Sequence, residues 1–362
     1  MKTKIKILIA FTAVSLSFCA CTATNEEATV ARFNAAAFEV YGKISAKYDK
    51  NANLIYPPLS AINLLGMRYV STDESGYAKL CGFFSTGKKA VETEICSLNS
   101  KYANSSNVTV ANRIWMTNPS PKFSDEMKKY FSAEVTNETF EKSQLLKDEI
   151  NNWVKRVSKN RIETVNVETT GLALLMINAA TFAGKWSEMF DAKQTKEGTF
   201  TTPKGNVNVS FMNGKIQSAR YYLNADFEAA ELKYKDGFSM ILVLSKSKNL
   251  NYNDFQTIRK NLVKGLYKLT IFMPKFKLAT RTNYLPLFHD AGIPTPNTQV
   301  FSDVSITVDE EGTKADATSV FAVYRSGPMS ATMKLDKPFK FFIIDSESGL
   351  IHFMGDIVNP LK

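Results

Sequence analysis

Side chains able to do covalent or acid–base chemistry are few in this chain. The histidines are His289 and His352, and neither stands in an HExxH or GxSxG setting. A histidine-based triad or a histidine metal site therefore has no support. There is no phosphate-binding P-loop and no dinucleotide fingerprint. The cysteines, Cys19, Cys21, Cys81 and Cys96, form no CxxC pair and no cluster with histidine, so a zinc centre is not indicated. No cofactor is expected from these motifs.

Chemistry is instead concentrated in one stretch near the C-terminus. Val304 to Val308 alternates apolar and polar residues, the period-two signature of a half-buried strand. Glu310, Glu311 and Gly312 follow, then a run without bulky side chains from Thr313 to Ser319. At period two, Thr313, Ala315, Ala317 and Ser319 share one face, while Lys314, Asp316 and Thr318 share the other. A strand with small residues on one side can slide edgewise into a sheet without steric conflict. Beyond Ser319 the residues are large, with Phe321, Val323, Tyr324 and Arg325, and Gly327-Pro328 ends any regular element.

The elements that must hold this stretch are legible along the chain. Ala31 to Tyr48 carries Phe33, Ala37, Phe38, Tyr41 and Ile44 at helical spacing. Asn53 to Met67 reads as a short strand, a proline break and a helix with Ser60 near its start, where a capping hydroxyl is expected. Strands are expected over Val108 to Trp115 and Ala133 to Phe140, with helices over Phe123 to Tyr130 and Leu145 to Val157. Leu174 to Phe182 is nearly continuous apolar sequence, typical of a strand buried on both faces. Asn178 is its polar exception and must find hydrogen-bond partners. Further strands are expected at 207–212, 229–232, 240–244 and 270–278, and a helix at 283–293.

The N-terminus reads as a targeting segment. Lys2, Lys4 and Lys6 precede an apolar run, Ile7 to Phe18, too short to span a membrane comfortably. Phe18-Cys19-Ala20-Cys21 resembles a bacterial lipobox, with small Ala20 before Cys21. That predicts a signal peptide over 1–20, lipid modification of Cys21 and a tether over 21–30. The protein would then be exported and membrane-anchored, at the outer membrane or cell surface of a Gram-negative bacterium. Cys81 and Cys96 are left as one disulfide or as separate thiols. Among 362 residues, 44% are hydrophobic and 22% charged, as in an ordinary globular protein; length alone permits two or three domains, but no linker, repeat or low-complexity block marks a boundary. The net charge of +10 is scattered rather than gathered into a stripe, so no nucleic-acid partner is expected.

Taken together these motifs resemble the serpin family. Glu310-Glu311-Gly312-Thr313 with Ala315, Ala317 and Thr318 is similar to the hinge of the serpin reactive-centre loop. Pro58-Leu59-Ser60, Ile150-Asn151-Asn152-Trp153-Val154 with Ser158 to Ile162, Leu172 to Trp186, Pro274-Lys275-Phe276 and the C-terminal Asp336 to Pro360 match further family segments. The resemblance covers essentially the whole mature chain. It implies a single domain over 31–362 with an α+β serpin fold, three β-sheets, about eight or nine helices and an exposed reactive-centre loop at one pole. It implies a hinge of Glu310, Glu311, Gly312, Thr313, Ala315, Ala317 and Ser319. It implies a shutter of Ser60, Asn178 and Ser302, where Ser302 stands in the usual place of a histidine. It implies a breach of Trp186 and Lys275, the lysine pairing with Glu310.

Such a protein would be a monomeric, single-use inhibitor of a serine, or also cysteine, endopeptidase. The scissile bond is open between two readings. Family spacing favours Ser326-Gly327, which suits an elastase-like pocket. Side-chain chemistry favours Arg325-Ser326, because a guanidinium pairs bidentately with a carboxylate in a trypsin-like pocket. Val323 and Tyr324 flank these bonds, and Tyr324 would suit a chymotrypsin-like enzyme. The alternative is a non-inhibitory member acting as a cell-surface binding or chaperone-like protein. The small side chains on the inward hinge face favour inhibition.

Overall fold

A computed structural model describes residues 26–70, 88–141, 144–188, 190–262, 266–290, 292–311 and 329–361. Helix α1 (Glu26–Lys47) is followed by strand β1 (Leu54–Tyr56), helix α2 (Pro58–Val70) and helix α3 (Lys88–Tyr102). Strand β2 (Val108–Met116), helix α4 (Pro121–Phe131), strand β3 (Ala133–Asn137) and helix α5 (Gln144–Val157) lead to strand β4 (Leu174–Phe182). Next come β5 (Lys196–Thr202), β6 (Gly205–Leu223), β7 (Phe227–Lys233), β8 (Phe238–Ser245), helix α6 (Tyr252–Leu262), β9 (Leu266–Pro274) and β10 (Phe276–Asn283). Helix α7 (Leu285–Asp290) precedes β11 (Thr298–Val308), β12 (Met329–Lys334), β13 (Phe339–Asp345) and β14 (Ile351–Ile357).

Local chemistry sets several boundaries. The Ser120 side chain caps α4 by accepting from the Phe123 N–H, with Pro121 in the first turn. Asn160 takes a left-handed conformation after α5, with φ of 60°. Its N–H returns to the Lys155 carbonyl at 2.8 Å, so the asparagine does the work a glycine would do there. Helix α1 already runs through Glu26 to Val30, inside the expected tether, and Glu26 and Glu27 carry negative charge in its first described turn. Gly292, with φ of 64°, and Pro294 follow α7, which is shorter than the helix expected over 283–293. The single strand expected over 270–278 is two, β9 and β10, interrupted at Lys275.

Among the described residues the strands hydrogen-bond into two continuous sheets, where three were expected. One has five strands in the order β10-β11-β4-β2-β3. The other has nine, in the order β1-β14-β13-β8-β7-β6-β9-β12 with β5 beside β6. The merger comes from β6, whose 19 residues pair with β5 at one end and β7 at the other, with β9 between. Seven α-helices stand among the described residues, against the eight or nine expected.

Both faces of the five-stranded sheet are covered. One faces the main core, where α2 supplies Leu59, Ile62, Leu64 and Leu65. The other is covered by α5, whose Leu146, Ile150, Trp153 and Val154 pack on Trp115, Leu175, Ile177 and Ala179. Every residue of β4 after Leu174 is buried, as its apolar run requires. For the same reason β11 is buried on both sides, apart from Thr307, over the stretch whose alternation suggested one wet face.

Candidate functional site

The site is the seam between β4 and β11. These strands run parallel and pair directly, from Thr298 opposite Leu174 to Ile306 opposite Phe182. Strand β11 emerges from this pairing at Val308, and the chain then turns at Asp309, Glu310 and Glu311. Those three residues lead into the segment that the sequence marks as a strand able to enter a sheet.

The upper end of the seam is anchored residue by residue. The Trp186 indole N–H donates to the Asp309 carbonyl at 2.9 Å. Its ring stacks on Tyr234 with centroids 4.2 Å apart. This approach depends on Gly184: a Cβ there would meet the Phe182 ring at 2.6 Å and Tyr234 at 2.7 Å. The Phe190 N–H donates to the Glu310 carbonyl at 3.1 Å. The Glu310 carboxylate receives the Thr195 hydroxyl at 2.6 Å and the Lys275 ammonium at 2.8 Å. Burial raises the Glu310 pKa, but the bonds from Lys275 and Thr195 outweigh it and hold the group below the ordinary carboxylate value. Trp186, Lys275 and Glu310 are thus brought together as expected. Thr195 is a partner that the sequence did not reveal, since it lies 115 residues from Glu310.

Midway down the seam a polar row crosses the sheet. Thr282, Ser302, Asn178 and Asn112 stand in register on β10, β11, β4 and β2. The Ser302 hydroxyl donates to Asn178 Oδ1 at 3.3 Å, the Asn178 amide donates to Asn112 Oδ1 at 2.8 Å, and the Asn112 amide donates to the Phe131 carbonyl at 2.9 Å. Asn178 has therefore found the partners that its apolar setting demands. Ser60 lies buried on α2, but its hydroxyl has no hydrogen-bond partner and does not join the row. Asn112 takes that place instead. Its signal in the sequence was a polar residue inside the strand expected over Val108 to Trp115.

Several expected site residues lie outside the described residues: Gly312, Thr313, Ala315, Ala317, Ser319, Val323, Tyr324, Arg325, Ser326 and Gly327 of the loop, together with Cys21 and Cys81. Cys96 is buried on α3, its thiol directed at the Lys129 carbonyl at 3.7 Å.

Comparison with known proteins bears on this geometry. The family described as Serpin (serine protease inhibitor) matches residues 31–360. A serpin-like protein of Methanosarcina acetivorans is 28% identical, over 90% of this chain and 87% of its own length. Serpin B8 of Homo sapiens is 27% identical, over 88% of this chain and 96% of its own length. The structure of Arabidopsis AtSerpin1 in its native stressed conformation superimposes with a TM-score of 0.78 at 19% identity, over 94% of this chain and all of that one. At that identity the likeness is one of fold.

Proposed function

Given that the chain belongs to the serpin family, we propose that it is a suicide-substrate inhibitor of endopeptidases that traps its target by inserting its own loop into the seam. The observation that carries this reading is the direct parallel pairing of β4 with β11. A chain leaving the top of β11 and doubling back runs antiparallel to β11. Because β4 is parallel to β11, the same chain is antiparallel to β4 as well. Insertion thus replaces one parallel pairing with two antiparallel ones, which are the more stable per residue. Each ladder hydrogen bond adds roughly 0.5–1.5 kcal/mol net. The inward positions Thr313, Ala315, Ala317 and Ser319 are small enough to enter beneath α5 and above the core.

The chemistry is the target's own. Its nucleophile attacks the carbonyl carbon of the bait residue, the peptide C–N bond breaks, and the new amine leaves with a proton. The bait residue stays on the enzyme as an ester or thioester. The freed hinge end then enters the seam and draws the acyl-enzyme along, distorting the machinery that would let water release it. In the bait we favour Arg325-Ser326 over Ser326-Gly327, because Arg325 supplies the forked donor that a trypsin-like pocket recognises.

Incubation with trypsin, chymotrypsin, elastase and a papain-like protease tests the reading. The expected result is an SDS-stable complex with at least one of them, and a released peptide that begins at Ser326 by mass spectrometry. Thr313→Arg puts a charge on the inward face, which insertion would have to bury, and should turn inhibitor into substrate. Cleavage by every protease without a covalent complex, or a wild-type complex yield from Thr313→Arg, would sink the mechanism and favour the non-inhibitory surface-binding reading.

A further inference from the structure

On the inner face of the seam, the Ser302–Asn178 bond joins β11 to β4 at 3.3 Å, long for a hydroxyl donor. The outer face carries a stronger device. Arg281 on β10 stands in register with Asp303 on β11. Its Nε donates to Oδ1 at 2.8 Å and its Nη2 to Oδ2 at 3.0 Å. The third nitrogen, Nη1, donates to the backbone carbonyl of Asn166. The guanidinium also lies over the Phe301 ring, 4.4 Å from its centroid. All three nitrogens of the fork are therefore engaged, and the Asp303 side chain they hold is only 6% exposed.

Asn166 belongs to a strap, residues 158–173, that returns from α5 to β4 across the outer face. Ile162, Val165 and Val167 are buried with Trp115, Ile177 and Ala179 of β2 and β4. The Val165 N–H is held by Asn151 of α5 at 2.6 Å. In mechanical terms the strap rides with α5, β2 and β4, whereas Arg281 and Asp303 ride with β10 and β11. The Arg281–Asn166 bond crosses the line along which the sheet would open.

We infer that Arg281 is the clasp that sets how readily the sheet parts: the strap must come off its Nη1 before a strand can enter between β4 and β11. The inference rests on the inhibitory reading above. Entry of a strand takes β4 and β11 from about 4.8 Å apart to about twice that. The Arg281–Asp303 pair survives, since both members move together. The bond to Asn166 breaks unless the strap lifts from the sheet. A lysine at 281 could keep the charge pair but lacks the planar fork that reaches the strap at the same time.

The test uses the full-length protein and a fluorescent synthetic peptide with the sequence of residues 312–325, whose incorporation into the sheet is followed by native electrophoresis and anisotropy. Arg281→Lys should take up the peptide about tenfold faster than wild type, equivalent to about 1.4 kcal/mol of barrier. The double variant Arg281→Met with Asp303→Leu removes the clasp without leaving a buried unpaired charge, and should also be faster. Arg113→Lys is the control: Arg113 bonds Glu149 of α5 and Thr136 of β3, all on one side of the seam, and its uptake rate should match wild type. Wild-type rates in both Arg281 variants would overturn the clasp. So would equal acceleration by Arg113→Lys, which would mark general loosening. Failure of the wild-type protein to take up any peptide would instead remove the inhibitory reading on which the clasp depends.

Discussion

His352 shows how one buried side chain can set a pH response. It lies on β14, 2% exposed, with neither ring nitrogen hydrogen-bonded. Tyr102 meets it edge-on at 4.3 Å and Phe238 at 5.3 Å. Burial drives its pKa down to about 4, against a smaller opposing pull from Asp345. The folded protein therefore holds the imidazole neutral, while the unfolded chain takes up a proton near pH 6.5. Stability is complete above that value and falls as the pH drops toward 4, by at most about 1.4 kcal/mol per pH unit. His352→Phe keeps a ring and removes the proton, so the loss between pH 6.5 and 4 should flatten. Urea midpoints measured across that range check this, and an unchanged slope would acquit the histidine. Glu310 acts lower: its depressed carboxylate loses its contribution as the pH falls below the ordinary carboxylate value of 4.5. From the sequence, His352 was legible only as a histidine without a catalytic setting. Its burial arises from α3 and β8 packing on β14, partners more than a hundred residues away.

At the scale of elements, the sheet is coupled across its strands by side chains rather than by backbone alone. Removing the Asn178 amide by Asn178→Ala leaves Asn112 Oδ1 and the Ser302 hydroxyl without their shared partner, and should cost about 1–3 kcal/mol. Asn112→Ala should cost a similar amount, since it also strands the Phe131 carbonyl at the end of α4. Because the two asparagines share one bond, the double variant should fall short of the sum by at least about 0.5 kcal/mol. Urea unfolding of the four proteins closes the cycle, and strict additivity would mean that the row does not couple β2 to β4. Strand β4 could be read to the residue from its apolar run, and Asn178 stood out within it. The end of the short α7 is marked locally by Gly292 and Pro294, whereas the break at Lys275 could not be read, because it is set by β9 and β10 joining different sheets. The merger of two smaller sheets was equally hidden, since only the 19-residue length of β6 reveals it. The Lys275–Glu310 pair was available through family resemblance, whereas the Arg281–Asn166 bond depends on where the strap crosses.

For the whole molecule, the proposed insertion predicts that the native sheet is not the most stable one the chain can build. Five strands enclose a parallel seam, fastened at its top by Trp186, Thr195 and Lys275, in its middle by Asn178 and Ser302, and outside by Arg281. On the insertion reading, these bonds hold the sheet closed against the strand expected to follow β11 in the chain. Cutting the loop anywhere beyond Ser319 frees that strand without removing a residue. If it enters, a ladder of antiparallel bonds forms on both of its edges and the small inward side chains are buried. Ordering the strand costs conformational entropy, about 1–2 kcal/mol per residue, which offsets much of the gain. A net increase on the order of 5 kcal/mol would still raise Tm by roughly 5–10 °C. Limited digestion with trypsin, removal of the enzyme and a circular-dichroism melt measure this directly. The nicked protein should melt well above the intact one. Thr313→Glu, nicked in the same way, should not, because its charge bars entry at the first inward position. A nicked wild-type protein that melts at or below the intact protein's Tm would show that the seam does not accept the strand.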